Sequence, residues 1–203
     1  MYKVFFDDRS ISLSMEPDRR QKYCLFHRFD NVQELYDTLI LFENDHSIPT
    51  LNVYCNDIKH LWKSFRGFFK QVDAAGGLVR HSSGSYLIIT RRGMADLPKG
   101  HTQKGEHYPD CAIREVTEEC GIKGMKINSK LETTYHSYRS KGERILKSTH
   151  WYLMDYDGKM EGTPQTDEGI SALNWMKPDE LRSIRYKIWP SLAKLVDFAV
   201  KTG

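Results

Sequence analysis

The chain has no long hydrophobic run and no strong excess of charge of either sign. Its 30 basic and 27 acidic side chains leave a formal net charge of +3, which is too balanced to predict a nucleic-acid-binding or membrane-binding surface by itself. No apolar stretch approaches a membrane span, and residues 1–8 lack a basic segment followed by an apolar run. We therefore predict a cytoplasmic protein with no nucleic-acid or membrane partner.

Cysteine is scarce, and repeats and low-complexity segments are absent from the sequence. The four cysteines, Cys24, Cys55, Cys111 and Cys120, form no C-x-x-C pair. This pattern predicts reduced, buried thiols. A length of 203 residues is enough for one domain with a good core, or for one domain and a small extra unit.

The most informative segment covers residues 100–122, GHTQKGEHYPDCAIREVTEECGI. Pro109 and Asp110 suit the first turn of a helix, where a missing amide costs nothing and a carboxylate faces the positive end of the dipole. The helix should run to Cys120 and stop at Gly121, because glycine favours the position after the last helical residue.

Three acidic residues cluster on this helix. At roughly 100° per residue, Ile113, Val116 and Cys120 form an apolar stripe, and Glu115, Glu118 and Glu119 lie near the opposite side. Like charges at this spacing repel each other, so a positive partner is needed. Hard divalent cations such as Mg²⁺ prefer carboxylate and carbonyl oxygens. The alternative is a solvated acidic helix face.

The segment also matches every fixed position of the Nudix box, G-x5-E-x7-R-E-U-x-E-E-x-G-U, in which U is a bulky aliphatic residue. The chain therefore resembles the Nudix hydrolases. The resemblance implies an α/β fold of the Nudix type, with a mixed β-sheet between helices. The matching residues are Gly100, Glu106, Arg114, Glu115, Val116, Glu118, Glu119, Gly121 and Ile122.

The resemblance also implies a metal site. Glu115, Glu118 and Glu119 match the box positions that bind Mg²⁺ or Mn²⁺, and the main-chain carbonyl of Lys99 matches a further ligand. Such a cluster suits cleavage of a pyrophosphate, because cations neutralise charge on phosphate oxygens and lower the pKa of a bound water. As ligands of the cation that acts on the phosphate, Glu118 and Glu119 are also counted among the catalytic residues.

Two further box residues match a supporting pair. Glu106 and Arg114 correspond to the loop-to-helix pair that orients the site, and the guanidinium fork fixes a carboxylate more firmly than lysine could. Gly100 and Gly121 would permit tight backbone turns.

The base that activates water often lies outside the box in this family. Our candidate is Glu168, in the polar loop 165–169 between two expected strands, where a mobile catalytic group could reach the metals. Asp167, Glu161 and Glu119 remain competitors for this role. The alternative for Glu168 is an ordinary solvated loop carboxylate.

Phosphate-binding groups should flank the box. Arg91 and Arg92 end a strand that leads to the site and are preferred over Lys99 and Lys104, because arginine matches phosphate geometry. A solvated surface charge is the alternative for each of them.

Residues near the box bear on the identity of the substrate. Family branches that act on ADP-ribose tend to have a proline after the box, and this chain has none between Pro109 and Pro164. Branches that act on dinucleoside polyphosphates tend to have a tyrosine there, and Tyr138 lies at about the right distance, with Tyr135 close by. Tyrosine is also common in strands for packing reasons. We expect a nucleoside diphosphate derivative, with related polyphosphates such as diphosphoinositol phosphates included.

Residues 1–69 are predicted to form a small α+β extension, and residues 70–203 the Nudix domain. In the extension, strands are expected at 2–6, 22–29 and 50–54, and helices at 32–43 and 57–70 with Asn31 and Asn56 as N-caps. In the domain, strands are expected at 72–80, 86–90, 130–138, 144–155 and 173–176, a helical turn at Pro178, and a last helix at 186–201.

Three functions are compatible with these features. The leading one is a Mg²⁺-dependent pyrophosphohydrolase that uses a small nucleotide-derived substrate. The second is a non-catalytic Nudix sensor, which would not need to retain the whole carboxylate set. The third is a scaffold in which the extension mediates assembly. For the extension itself, two roles are open: it forms a homodimer, or it lines one wall of the substrate cleft.

Overall fold

The computed structural model describes residues 1–20 and 23–202. In this part, the chain forms two compact units. One contains Met1–Val72 and Tyr135–Lys147 and is called the N-terminal unit; the other contains Asp73–Thr134 and Ser148–Gly203 and is called the box unit. The predicted domain boundary between residues 69 and 70 stays a prediction.

The N-terminal unit is built from six elements and the tip of a hairpin. Its sheet has the order β1-β2-β4-β3, in which β1 is antiparallel to β2 and β4 is parallel to both β2 and β3. Two helices bury leucine and phenylalanine side chains in a core with Ile11, Leu13, Leu51 and Val53. The elements are β1 (Tyr2–Phe6), β2 (Arg9–Ser14), β3 (Cys24–Arg28), α1 (Val32–Asn44), β4 (Thr50–Tyr54) and α2 (Ile58–Arg66).

Several predictions for this unit need correction. Strand β2 was not predicted, although its sequence RSISLS alternates polar and apolar residues as strands do; its serines are buried, and Asn52 Nδ2 donates to Ser12 and Ser14. Asn31 caps α1 as predicted, but α2 is capped by Asp57, whose side chain accepts the N–H groups of Lys59 and His60, and not by Asn56. That helix ends at Arg66, not residue 70. Lys22, at the start of the predicted strand 22–29, lies outside the described residues.

The box unit contains the remaining elements. Its sheet has the order β11-β6-β5-β10-β9, with β7 added to β6 and β8 added to β5. The ends of β9 and β10 between residues 135 and 147, and residues 70–72 of β5, belong to the N-terminal unit, where β9 pairs in parallel with β1. The elements are β5 (Lys70–His81), β6 (Tyr86–Arg91), β7 (Met94–Asp96), β8 (Lys99–His101), α3 (Tyr108–Cys120), β9 (Lys126–Ser140), β10 (Glu143–Tyr156), β11 (Ile170–Met176), α4 (Pro178–Ser183) and α5 (Ala193–Thr202).

Helices cover both faces of this sheet. Alternate residues of β6 point to opposite faces, so Leu87 and Ile89 pack in the core that contains α3, and Tyr86 and Ile88 pack in the core that contains α5. The mixed sheet flanked by helices agrees with the predicted α/β fold. The arrangement fixes α3 against the sheet through its apolar stripe, and two of its acidic residues, Glu115 and Glu119, lie beside β8.

The C-terminal helix is shorter than predicted. The spacing predicts a helix over 186–201, but α5 begins at Ala193, after two 3-10 turns at Arg185–Lys187 and Pro190–Leu192. Pro190 explains the difference, because the residue before a proline is disfavoured in the helical region, and Trp189 has φ −53° and ψ 133°. The short strands β7 and β8 were also not predicted.

The thiols agree with the prediction in part. Cys111 and Cys120 are fully buried on α3, whereas Cys24 and Cys55 are half-buried; all four are free. Among the described residues, no helix is both long and apolar enough to cross a bilayer.

Candidate active site

The central helix α3 has the predicted limits. Pro109 lies in its first turn, and Gly121 ends it with a left-handed φ of 68°, donating its N–H to the carbonyl of Thr117. Its apolar side is as expected, since Val116 and Cys120 are fully buried. The acidic residues differ from the expectation, because two of the three are buried.

Glu115 is held against β8. It is 7% exposed, and Gly100 leaves it room: a Cβ built at that glycine would lie 1.9 Å from Oε2 of Glu115. Its Oε1 accepts a hydrogen bond of 2.6 Å from Nη1 of Arg114. Burial raises the pKa of Glu115 and outweighs the lowering effect of Arg114. Gly100 is therefore required by the carboxylate beside it.

Glu119 is the most buried of the acidic residues, with no exposed surface. Its Oε2 accepts the backbone N–H of Lys99 at 3.1 Å, and its Oε1 accepts from the guanidinium of Arg91. Burial raises the pKa of Glu119 to about 7, against the lowering effects of Arg91 and Lys99. A buried carboxylate of this kind needs a positive partner to stay ionised.

Arg114 connects the box loop to the helix. Its Nε and Nη2 donate to both oxygens of Glu106 at 2.7 and 2.9 Å, and Nη2 also donates to the carbonyl of His101. The bonds from Arg114, with one from the N–H of Gln103, lower the pKa of Glu106 to about 2. The two residues thus form an ion pair between the box loop and the helix, and their role in orienting the site stays a prediction.

Arg114 also reaches the other carboxylates. Its Nη1 donates to Glu115 Oε1 and, at 3.0 Å, to Oε2 of Glu118, whose side chain is 50% exposed. Contacts with Glu106, Glu115 and Glu118 raise the pKa of Arg114. One guanidinium therefore compensates three acidic side chains.

Glu168 lies beside Glu119, although the two are far apart in sequence. A single nitrogen, Nη2 of Arg91, contacts Glu119 Oε1 and, at 3.0 Å, Glu168 Oε2. Glu168 sits in a 3-10 turn, Thr166–Glu168, and its side chain is 47% exposed. The structure thus brings the candidate base next to Glu119, which is itself a competitor for that role; the other competitors, Asp167 and Glu161, are exposed, as Glu168 is.

The loop that carries Glu168 is fastened to the end of α3. The N–H groups of Thr163 and Gln165 donate to the carbonyls of Cys120 and Glu119 at 2.9 and 3.0 Å. These bonds satisfy carbonyls that the helix itself leaves free. A Cβ at Gly162 would lie 2.3 Å from the carbonyl oxygen of Cys120, so this glycine permits the close approach.

The two arginines that precede the box have different environments. Arg91 is 19% exposed, faces the carboxylates, and has a buried Nε with no hydrogen-bond partner among the described residues. Arg92 is exposed and has a left-handed φ of 51°. Tyr138 belongs to the N-terminal unit, where its ring stacks on His136 with centroids 5.9 Å apart. The substrate-binding roles of these three residues stay predictions.

The donor set suits a hard divalent cation. Glu115, Glu118 and Glu119 offer carboxylate oxygens, and Lys99 offers a main-chain carbonyl. In residues 1–20 and 23–202, no three acidic, histidine or cysteine side chains converge as a ready-made metal site. Arg91 donates to Glu119, and Arg114 donates to Glu115 and Glu118. The two guanidinium groups provide the positive charge that a bound cation would otherwise supply. The residues fit the metal by chemistry, and their roles as ligands stay predictions.

Sequence reasoning missed two contacts of this site. It considered the carbonyl of Lys99 as a metal ligand and its side chain as a less favoured phosphate-binding group, whereas the N–H of Lys99 holds Glu119 and its ammonium contacts Asp96. Asp96 was not singled out at all. A polar residue before the apolar pair Leu97 and Pro98 was the available signal, but the strand that buries it was not recognised.

Comparisons with known proteins agree with this arrangement. The family model described as NUDIX domain matches residues 70–197, which is more than half of the chain. The putative mutator protein MutT4 of Mycobacterium tuberculosis (strain CDC 1551 / Oshkosh) is 34% identical over 136 residues, covering 61% of this chain and 54% of that protein. The mRNA-decapping enzyme subunit 2 of Arabidopsis thaliana is 26% identical over 151 residues, covering 71% and 38%. The matches thus span about half, or less, of these relatives.

Solved structures share the fold. The MutT protein from Methanosarcina mazei Go1 matches with a TM-score of 0.51 and 15% identity, covering 66% of this chain and 95% of that chain. The C. elegans Ap4A hydrolase matches with a TM-score of 0.50 and 22% identity, covering 66% and 100%. Members of the Nudix family are hydrolases that act on pyrophosphate bonds. The match over residues 70–197 confirms the resemblance drawn from the box, and the chain belongs to the NUDIX domain family of hydrolases.

Proposed function

We propose that this protein is a Mg²⁺-dependent pyrophosphohydrolase, with Mn²⁺ as a substitute, acting on a nucleoside diphosphate linked to a second group. The observation that carries the proposal is the position of Glu119, which is fully buried between the Lys99 N–H and an arginine that also holds Glu168. A buried carboxylate is costly unless it is used or paired. Arg91 joins Glu119 to a second, half-exposed carboxylate, Glu168, and this cluster supports a reaction centre beside α3.

The box residues would bind the cation and hold one another in position. Glu115, Glu118, Glu119 and the carbonyl of Lys99 would hold the cation, which supplies charge neutralisation at the phosphate oxygens when bound. Arg114 would keep Glu115 and Glu118 in place through its fork to Glu106.

Glu168 would act as the base. Water adds to one phosphorus, the bridging phosphorus–oxygen bond breaks, and the proton leaves the water for the Glu168 carboxylate. The side chain is half-exposed, so water can reach it, and its loop is anchored to α3 by backbone hydrogen bonds. Arg91 would contact the substrate phosphate, with Arg92 as a second contact; the proximity of Arg91 to both carboxylates supports this role.

For the substrate, we propose dinucleoside polyphosphates or related polyphosphorylated compounds. This preference rests on Tyr138, at the position where branches of that kind tend to have a tyrosine. The proposed partner is thus a small molecule. The homodimer formed through the extension and the cytoplasmic location remain predictions.

A hydrolysis panel tests the proposal. Dinucleoside polyphosphates, nucleotide sugars, ADP-ribose, nucleoside triphosphates and diphosphoinositol phosphates are incubated with the protein, with Mg²⁺ or with chelator. We expect metal-dependent cleavage of one class, and a loss of at least about 100-fold in kcat/KM for Glu118→Gln and Glu119→Gln, with an unchanged circular dichroism spectrum. Glu143→Gln is the control, because Glu143 forms an exposed ion pair with Lys70 and should leave activity unchanged.

Two outcomes would change the proposal. Near-normal turnover of Glu168→Gln would remove this residue from the role of base. No cleavage of any compound, together with tight binding of one of them, would instead favour the non-catalytic sensor.

A further inference from the structure

The segment that precedes the box is fastened by a carboxylate to which no role has been given above. Asp96, at the end of β7, is only 4% exposed. Its Oδ1 accepts the backbone N–H of Leu97 at 2.8 Å, and its Oδ2 accepts from the ammonium of Lys99 at 2.5 Å. The two carboxylate oxygens of Asp96 therefore accept hydrogen bonds from both ends of the short segment 97–99.

The same segment is fixed against β5. The carbonyl of Pro98 accepts the N–H of Gly77 at 3.1 Å. At Gly76, a Cβ would lie 2.4 Å from the Pro98 oxygen and 2.6 Å from the Lys99 Cβ, so only glycine allows this approach. With Asp96 on one side and β5 on the other, the peptide groups of the segment have little freedom to rotate.

This rigidity bears directly on Glu119. The N–H of Lys99 is the backbone donor to Glu119 Oε2, at 3.1 Å. The direction of that N–H depends on whether the Lys99 side chain is held in place. Asp96 holds the side chain, and a 3.3 Å bond from the ammonium to the carbonyl of Leu97 assists. Both partners are well buried, with side-chain exposures of 5% for Asp96 and 16% for Lys99, so the pair is weakly screened by solvent.

We propose that Asp96 is a positioning residue for the cation: through Lys99 it fixes the peptide that orients Glu119 and presents the Lys99 carbonyl. The inference rests on the proposed function. It also assigns the Lys99 ammonium to Asp96 and not to the substrate phosphate. Loss of the pair should therefore weaken metal binding without changing how the substrate is held.

Direct metal binding is the first measurement. The affinity of the full-length protein for Mn²⁺, without substrate, is followed by electron paramagnetic resonance of the free ion. Asp96→Asn keeps the shape of the side chain and an oxygen for Leu97 but removes the charge that holds Lys99. We expect its Kd for Mn²⁺ to rise about 10–100-fold, while the KM for substrate at saturating metal stays within about twofold of the wild type.

A double-mutant cycle shows whether the two residues act together. Lys99→Met should raise the Kd for Mn²⁺ to a similar extent, and the double variant should be no worse than either single one, because both changes break the same link. Lys99→Arg, which keeps a donor and the charge, should recover part of the affinity. The matched control is Asp155→Asn, which breaks the pair of Asp155 with Arg80 in the same unit and should leave Mn²⁺ binding unchanged.

The outcomes separate this inference from the proposed function. If the wild type binds Mn²⁺ and hydrolyses substrate but Asp96→Asn has a wild-type Kd, the positioning role is wrong and the function stands. A rise in KM with an unchanged Kd for Mn²⁺ would overturn it too, because Lys99 would then act on the substrate. A wild type without metal binding would overturn both. Should Asp96→Asn lose its cooperative thermal transition, Lys99→Met decides by the same Kd.

Discussion

Gly100 shows at the scale of one residue why the box specifies a glycine. The position does not require a left-handed backbone, in contrast to Gly121 with its φ of 68°. What excludes a side chain is the carboxylate of Glu115, whose Oε2 would lie 1.9 Å from a Cβ. Interatomic distances of that size do not occur between non-bonded atoms, so either the strand or Glu115 must move. The glycine thus sets the position of a proposed metal ligand.

Gly100→Ala should therefore impair activity more than stability. Displacement of Glu115 is expected to lower kcat/KM about 10–100-fold and to raise the metal concentration needed for half-maximal activity. Steady-state kinetics over a Mg²⁺ series measures both. Gly124→Ala is the matched control, because Gly124 has φ 92° and open space around it; it should cost about 1 kcal/mol of stability through backbone strain and leave kinetics unchanged. Equal effects of the two variants on activity would contradict this explanation.

At the scale of an element, α1 has an acidic residue at its C-terminal end, and this residue links the helix to two arginines of the hairpin tip. Glu43 lies in the last turn, where the helix dipole disfavours a negative charge. Arg144 compensates it with bonds of 2.9 to 3.0 Å to both carboxylate oxygens, and Arg139 adds one of 2.7 Å. Burial raises the pKa of Glu43, but these hydrogen bonds outweigh it and hold the pKa below its usual range. The hairpin tip and the helix end are thereby joined within the N-terminal unit.

Glu43→Gln should destabilise the protein in a pH-dependent way. Because the pKa of Glu43 is lower in the folded state, its contribution is present above the unfolded pKa of about 4.3 and is lost as pH falls through the folded value. We expect a loss of about 2 kcal/mol at pH 7, from the missing charge-assisted hydrogen bonds, and a smaller difference from the wild type at about pH 3. Urea denaturation at both pH values measures it, with Glu143→Gln as the exposed control. A difference that persists undiminished at low pH would exclude this linkage.

At the scale of the whole molecule, each of the two compact units is built from two separate segments of the sequence. The N-terminal unit contains not only residues 1–72 but also the hairpin tip 135–147. Leu146 is fully buried in its core, and the ring of Tyr135 contacts Tyr2 and Trp62 at centroid distances of 6.0 and 4.8 Å. A cut at residue 69 would therefore separate residues that share one core.

Truncation tests this consequence. A chain of residues 70–203 should expose Leu146 and Tyr135, and we expect it to aggregate or to melt at a lower temperature than the full chain. A second chain, in which residues 135–147 are also replaced by a short turn that joins 134 to 148, should recover solubility. Light scattering and thermal denaturation compare the two. Equal solubility of both truncated chains would show that the hairpin tip does not depend on residues 1–69.

The sequence by itself determined the features that depend on neighbouring residues. Helix α3, its end at Gly121 and its apolar stripe follow from local spacing and backbone preference, and so do the limits of β1 and β4. Helical spacing placed Glu115, Glu118 and Glu119 on one side of this helix, and their box positions came from the resemblance to the Nudix hydrolases. Local patterns failed where one residue is incompatible with the element that its neighbours favour, as Pro190 is with the last predicted helix.

Only the tertiary structure decided which of these groups meet. Arg91 contacts Glu119 across 28 positions of sequence and Glu168 across 77, and neither separation produces a periodic signal. The burial of Glu119 follows from the segment 97–99 packed beside it, although helical spacing had assigned it to the side away from the core. Local preferences fix the course of each element, whereas burial and charge pairing arise from contacts that form only when distant segments pack together.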